Sequence, residues 1–283
     1  MTYLVTGATG GLGGYVLGYL RNLVPSSQIV ALARSRSKAA DLEKDGIAVR
    51  VGDYSDAASL RKAFEGVDRM LFISGAPGNR EAEHANVVDA AKAEGVSFIA
   101  YTSFANAGNV DNMLSSDHQF TEDLIERSGI AHTFLRNNWY LENEETLLRL
   151  ALESGELDFS AGDATVGWAL KREYAEAAAQ VLAGLKASPS ILELSGPAHT
   201  YRQLAQALSR ASGKSIEARD LDGTHFVQAM GAAGIPEAGA KGILGIQELI
   251  KAGDLELQSQ DFEAVLGHSL TAFDEAVKEV LHL

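Results

Sequence analysis

The chain has 283 residues, 46% of them hydrophobic, enough to bury one large core or two. It contains no cysteine, which excludes disulfides, thiolate nucleophiles and Cys-based metal sites and fits a reducing, cytoplasmic setting. The formal net charge of -14 argues against nucleic acid as a partner, and no apolar run reaches the roughly 18 residues that a membrane span needs.

The first strand is expected at Tyr3–Thr6, so close to the initiating Met that no targeting segment is expected ahead of it. It runs straight into Gly7-Ala8-Thr9-Gly10-Gly11-Leu12-Gly13-Gly14 and then a helical pattern from about Gly11, with Val16, Leu17, Leu20 and Leu23 as its apolar positions. The spacing is Gly7-x-x-Gly10-x-x-Gly13. Glycines let a backbone turn tightly and approach a pyrophosphate, and a helix N-terminus presents free N–H groups to it. A strand, a glycine turn and a helix together therefore favour a dinucleotide over a ligand-free turn. Gly7, Thr9, Gly10, Gly11 and Leu12 are the candidate contacts.

A second strand, Ile29–Ala33, ends at Arg34-Ser35-Arg36-Ser37-Lys38, where an NAD-binding unit would carry an acid for the ribose 2′-hydroxyl. Cations are out of place at the start of a helix near Ser37, because the helix dipole disfavours them there. Arg34 and Lys38 with the neighbouring hydroxyls suit a 2′-phosphate instead, favouring NADP(H) over NAD(H). A third strand, Ala48–Val51, leads to Asp53 and Tyr54, which could hold and cover an adenine or simply form a Gly-Asp turn. Asp56 should cap the next helix. A fourth strand, Arg69–Ile73, leads to Ser74, Gly75, Ala76, Pro77 and Gly78, small residues that either flank cofactor ribose and phosphates or make a plain loop.

After a helix from about Arg80, a fifth strand at Ser97–Thr102 brings Thr102, Ser103 and Phe104 to its end, a natural place for hydroxyls beside a nicotinamide. The next helix, from about Ser116, carries His118 and Glu122 one turn apart. That spacing admits acid–base support, a solvated surface pair, or a metal, though no third ligand is evident. A sixth strand, His132–Leu135, runs into Arg136-Asn137-Asn138-Trp139-Tyr140. Amides and large aromatics there suit a wall over a flat ligand, or a loop that packs Trp139 beneath a second lobe. Six strands alternating with helices predict an α/β protein with a doubly wound, parallel Rossmann sheet.

Beyond Arg136 the alternation weakens. Lys171–Lys186 reads as an alanine-rich helix, Ile191–Leu194 as a strand, Tyr201–Ser212 as a helix, Gly231–Gly245 as a Gly/Ala-rich stretch before a helix to Lys251, and Ser269–Leu281 as a last amphipathic helix. The division expected is a cofactor domain over 1–136 and a mainly helical substrate lobe over 137–283, with about 157–195 returning to the sheet.

Val5-Thr6-Gly7-Ala8-Thr9-Gly10-Gly11-Leu12-Gly13, Ala33-Arg34-Ser35, Gly52-Asp53-Tyr54, His118-x-x-x-Glu122 and Leu135-Arg136-Asn137-Asn138-Trp139-Tyr140-x-Glu142-Asn143 together resemble the NmrA-like branch of the atypical short-chain dehydrogenases, and within it the type 2 NAD(P)H:quinone oxidoreductases. The resemblance runs nearly end to end, through Tyr174–Ala179 and Leu194-Ser195-Gly196-Pro197. It implies NADPH-dependent reduction of a quinone without flavin or metal. No Tyr-x-x-x-Lys proton-donor pair is present, and a quinone accepts hydride with little help from a protein acid. The candidate catalytic residues are then His118, Glu122 and Asn138, the last where relatives often carry Gly. The quinone contacts are Phe104, Asn137, Trp139 and Tyr140. NmrA-like regulators that bind a dinucleotide without catalysis, and reductases of triphenylmethane dyes, are the alternative readings. A small molecule is the expected partner, with no nucleic acid, no membrane, and a homodimer admitted.

Overall fold

The computed structural model describes residues 1–283 apart from Pro77, Asp111, Lys186 and Ala187, so Pro77 of the fourth-strand loop and the predicted end of the helix at Lys186 lie outside the described residues. In chain order the elements are β1 (Tyr3–Val5), α1 (Gly11–Leu23), β2 (Ile29–Ala33), α2 (Ala40–Lys44), β3 (Ala48–Val51), α3 (Ala57–Phe64), β4 (Arg69–Phe72), α4 (Arg80–Ala93), β5 (Phe98–Phe104), α5 (Met113–Ser128), β6 (Ala131–Asn137), α6 (Glu145–Ser154), β7 (Glu156–Phe159), β8 (Thr165–Val166), α7 (Lys171–Ala183), β9 (Ile191–Leu194), β10 (His199–Thr200), α8 (Tyr201–Ser212), β11 (Glu217–Asp220), α9 (Gly223–Ala232), α10 (Glu237–Lys251), α11 (Asp261–Leu266) and α12 (Phe273–Leu281). They form two compact units: residues 1–137, 171–194 and 261–268, and residues 138–170, 195–260 and 269–283.

The first unit is built on a seven-stranded sheet of order β3-β2-β1-β4-β5-β6-β9, parallel throughout. Helices cover both faces, so β1 and β2 are buried at every residue, which is why they read as unbroken apolar runs. On one face Leu60, Phe64, Val87, Val88 and Ile125 of α3, α4 and α5 pack against Leu4, Met70, Phe72, Ile99 and Phe134. On the other, α1 packs along α7, and Arg69 of β4 ends α7 by donating to the carbonyls of Leu182 (2.7 Å) and Val181 (3.1 Å). The exposed edge strand β9 is blunted by α11, whose Asp261 carboxylate accepts from the Glu193 N–H at 3.0 Å.

Several bounds move for local reasons. Strand β5 continues to Phe104 because it pairs with β6 through Phe104 and Asn137, so Ser103, Phe104 and Asn137 sit in the last rungs of the ladder, not in the loops beyond. Helix α5 starts at Met113, ahead of the expected Ser116. Asn112 caps it by accepting from the Leu114 and Ser115 N–H groups, and Ser115 Oγ in turn accepts from the Asn112 N–H. Asp56 caps α3 as expected, accepting from Ala58 and Ser59.

The second unit holds α6, α8, α9, α10 and α12 with two small sheets, parallel β7–β11 and antiparallel β8–β10. The sequence hid these strands because β8 and β10 have two residues each and at least half the residues of β7 and β11 are charged. Residues 157–170 belong here, pairing with β11 and β10, so the segment of 157–195 that returns to the seven-stranded sheet's unit is Lys171–Leu194; Asp261–His268 joins it. The Gly/Ala stretch from Gly231 is largely helical. Gly234 at φ +86° and Pro236 make the break between α9 and α10, and Pro is well placed just before a helix.

Candidate active site

Because all seven strands run the same way, their carboxyl ends share one edge, and the first unit's predicted residues gather there. At the β1 exit, Gly7 takes φ +58°, and a Cβ at Gly13 would stand 2.3 Å from the Gly7 carbonyl oxygen, so both positions require glycine. Gly7, Thr9, Gly10 and Gly11 are exposed while Leu12 is buried, which leaves Leu12 only its backbone to offer. Helix α1 has no side-chain cap at Gly10 and no acid in its first turn. These free N–H groups around a glycine cradle fit a dinucleotide pyrophosphate.

At the β2 exit, Arg34 and Lys38 are exposed beside Ser35 and Ser37, whose hydroxyls lie 3.2 Å apart. Arg36 turns away to Glu43 (2.7 Å). At the β3 exit, Asp53 Oδ1 accepts from the N–H and hydroxyl of Ser55, which together with nearby Arg34 hold its carboxyl below the usual range. Tyr54 is not an open platform for adenine. Its hydroxyl donates to the Ile73 carbonyl (2.8 Å) and is hydrogen-bonded to the Thr6 hydroxyl, and its ring meets Phe72 edge-on.

The β4 and β5 exits are tied together: Ser74 N–H donates to Thr102 Oγ1 at 2.9 Å. Gly75 is clamped by α4, its N–H donating to His84 Nε2 (3.0 Å) and its carbonyl accepting from Arg80 Nε (2.8 Å). His84 must then carry its proton on Nδ1, facing Thr121 Oγ1 at 2.7 Å. Burial, with Arg80 beside it, pushes His84 down to about 3.

His118 and Glu122 are buried, so the solvated-pair reading is overturned: the i, i+4 face that carries them is the one α5 turns to the sheet. They take different partners. Arg80 Nη1 donates to His118 Nε2 (3.3 Å), which puts the ring proton on Nδ1, 2.8 Å from the Tyr101 hydroxyl. Burial, then Arg80 and His84, pushes His118 down to about 3, so the ring is neutral at physiological pH and is no proton donor of ordinary strength. Phe104, itself buried, stacks on it at 6.1 Å.

Glu122 instead receives Ser103 Oγ at 2.5 Å and a two-pronged contact from Arg136, at 3.0 Å to Oε1 and 2.7 Å to Oε2. Arg136 also reaches Glu193 Oε1 (3.1 Å), while Glu193 Oε2 accepts from the Asn106 N–H (3.0 Å) and so braces the loop after β5, where Asn106 holds φ +57°. The consequence for Ser103 is specific. Its proton is committed to Glu122, so toward a ligand it can only accept.

Asn138, Trp139 and Tyr140 belong to the second unit. The Asn138 side chain is consumed: its amide donates to Ser195 Oγ (3.0 Å) and the Leu255 carbonyl (3.1 Å), and its oxygen accepts from the Trp139 N–H (2.8 Å). A catalytic role is withdrawn for it, because every polar atom braces the chain. Trp139 is pinned by an indole N–H donated to Glu144 at 3.0 Å. Tyr140 pairs with Ala169 in an isolated bridge.

Arg80, His84, Tyr101 and Glu193 escaped the sequence reading. Only their alternation with core positions marks them, a signal that any helix or strand face shares.

Residues 7–187 match the NAD(P)H-binding family. Quinone oxidoreductase 2 of Escherichia coli K12 is 39% identical over 281 residues, 99% of this chain and 98% of that one. The chain belongs to the NAD(P)H-binding, NmrA-like family. The NADPH complex of the E. coli NADPH-dependent quinone oxidoreductase has a TM-score of 0.93 at 39% identity, covering 99% of each chain. The NADP(H) complex of a Citrobacter triphenylmethane reductase has a TM-score of 0.94 at 38% identity, covering 99% of this chain and 100% of that one. An NmrA-like family domain-containing oxidoreductase of Aspergillus flavus is 27% identical over 99% of this chain and 95% of its own. This family membership fits the fold and the glycine cradle described above.

Proposed function

We propose that the protein is an NADPH-dependent reductase that delivers hydride directly to a quinone, with neither flavin nor metal. The full-length likeness to quinone oxidoreductase 2, joined to a glycine cradle and a basic β2 exit, carries the reading. When bound, NADPH supplies the hydride. The chain's own residues position it: the Gly7–Leu12 turn for the pyrophosphate, Arg34 and Lys38 with Ser35 for the 2′-phosphate, and the Asp53 carboxylate for the adenine amino group. Ser74, Gly75, Thr102 and Ser103 are proposed beside the nicotinamide ribose and carboxamide, with Ser103 as a fixed acceptor for the amide N–H.

His118 and Glu122 act through others, His118 under Phe104 and Glu122 behind Ser103. Phe104, Asn137, Trp139 and Tyr140 remain the proposed quinone contacts, the last two on the strength of their motif. A neutral acceptor is favoured because Arg136 is already shared by two carboxylates. With no proton donor of ordinary strength at His118, positioning of the hydride donor against an electrophilic ring supplies the catalysis. We place the enzyme in the cytoplasm, acting on small molecules, as a monomer or homodimer. No helix among the described residues is long and apolar enough to cross a membrane.

The test is NADPH oxidation by protein stripped of flavin and metal. Oxidation that requires added quinone supports the proposal. Reduction of a triphenylmethane dye but no quinone would make it a dye reductase, and tight NADPH binding without reduction of either would make it a redox-sensing regulator. Arg34→Ala tests cofactor choice. A charge-assisted hydrogen bond contributes about 1.5–3 kcal/mol, so NADPH affinity should fall roughly ten- to 150-fold while NADH binding stays nearly unchanged. Equal losses for both cofactors, by titration calorimetry, would remove Arg34 from the 2′-phosphate.

A further inference from the structure

We propose that Lys171, the first residue of α7, holds the cofactor's pyrophosphate at the start of α1. The inference rests on the NADPH reading and adds a residue from well outside the glycine turn. A Cβ built on Gly11 would lie 3.6 Å from Lys171 Cδ and 4.0 Å from its Nζ, so the lysine stem crosses the open face of the first turn of α1 and carries its ammonium to the exposed glycine loop.

The two helices run side by side in the same direction. Their beginnings meet at Gly11 and Lys171, and near their ends Leu23, Val181 and Leu185 line one cavity of about 300 Å³. Two helix N-termini therefore converge at the carboxyl edge of the sheet, and both favour an anion there. Lys171 and Arg172 open α7, the end where the dipole disfavours cations. Arg172 is hydrogen-bonded to Tyr19, and Glu173 is buried within the first turn. Glu176, one turn on, faces His268 at 3.1 Å. Arg172 thus meets α1 further along at Tyr19, whereas Lys171 reaches its first turn, which supplies no acid. A chain of net charge -14 needs local cations to hold a dinucleotide, and Lys171 supplies one shared by NADPH and NADH.

The experiment measures binding by titration calorimetry of NADPH, NADH and adenosine 2′-monophosphate to the wild type, Lys171→Met and Lys171→Arg. Methionine keeps an unbranched stem over Gly11 and removes the charge. The expected result is a loss of about tenfold or more for both dinucleotides in Lys171→Met, the lower end of a charge-assisted contact. Adenosine 2′-monophosphate, which lacks the pyrophosphate, should bind unchanged, and Lys171→Arg should recover most of the loss. Unchanged dinucleotide binding in Lys171→Met overturns the proposal, as does a loss confined to NADPH, which would put Lys171 on the 2′-phosphate. So does equal weakening of all three ligands, together with a lower melting temperature of the free protein, since that marks a structural role. A wild type that binds no dinucleotide refutes the NADPH reading itself, and this proposal with it.

Discussion

Arg136→Met is expected to destabilise the protein by about 3–5 kcal/mol, the range for removing one partner from a buried charge cluster. The guanidinium side chain is 11% exposed and lies between Glu122 at 8% and Glu193 at 19%. Two carboxylates share one cation, and the surplus negative charge is borne by hydrogen bonds from Ser103 and the Asn106 N–H. Those two carboxylates hold the arginine's pKa above its ordinary value, so it is charged at every working pH. Methionine fills much of the volume and strands both carboxylates in a site that desolvates them. Burial already lifts Glu193 above the usual range, and that lift should grow without the arginine. The penalty should therefore shrink as the pH falls and the stranded Glu193 takes up a proton, and a Glu122→Gln, Glu193→Gln background should recover most of it. Urea unfolding measures all three variants. A single mutant within about 1 kcal/mol of the wild type would show that the cluster is not the brace described. Quinone turnover should fall as well, since Glu122, which accepts the Ser103 proton, loses the guanidinium that holds it in place.

The frame of this site was readable from the residues, and the reason is periodicity. A fully buried parallel strand leaves an apolar run such as Ile29–Ala33, whose bounds the structure keeps, and the residue after such a run falls on the ligand edge. The glycines at 7 and 13 are legible because the first takes a positive φ and the second leaves no room for a Cβ beside the Gly7 carbonyl. What stayed hidden was the direction of side chains. Tyr54 and Asn138 look like ligand contacts by position, yet one points its hydroxyl at Thr6 and the other spends its amide on Ser195 and Leu255. His118 and Glu122 share a helix face but separate into different networks, a choice made by Arg80 and Arg136 reaching them from other elements. Long-range pairs of this kind leave no local pattern. Neither does Lys171, far along the chain from the turn it touches.

As pH rises from about 4.5 to 7, against the opposite trend of the buried, neutral His84 and His118, about 3 kcal/mol of stability should be lost at Glu144. Its carboxyl is buried in the second unit, and one oxygen, Oε1, accepts from Trp139 Nε1 (3.0 Å), Trp168 Nε1 (3.3 Å) and the Tyr201 hydroxyl (2.9 Å). These donors favour the charged form, but loss of water outweighs them and raises the pKa from 4.5 to about 7. Between those two values the folded chain keeps a proton that the unfolded chain has released. Folding is then favoured by acid: the stabilisation is fully present below about 4.5, declines up to about 7 and is gone above it. A tenfold difference in proton affinity is worth about 1.4 kcal/mol, so the total is about 3 kcal/mol. Glu144→Gln keeps an acceptor for the three donors and removes the titration, so the difference in unfolding free energy between wild type and variant should carry this slope. The same proton has an optical reporter, because the chain has two tryptophans and both donate to this oxygen. Their fluorescence should titrate with a midpoint near 7 in the wild type and stay flat in the variant. Parallel stability curves for the two proteins from about pH 5 to 8, with no fluorescence change, would place the Glu144 pKa in the ordinary carboxylate range and remove the burial argument on which the prediction stands.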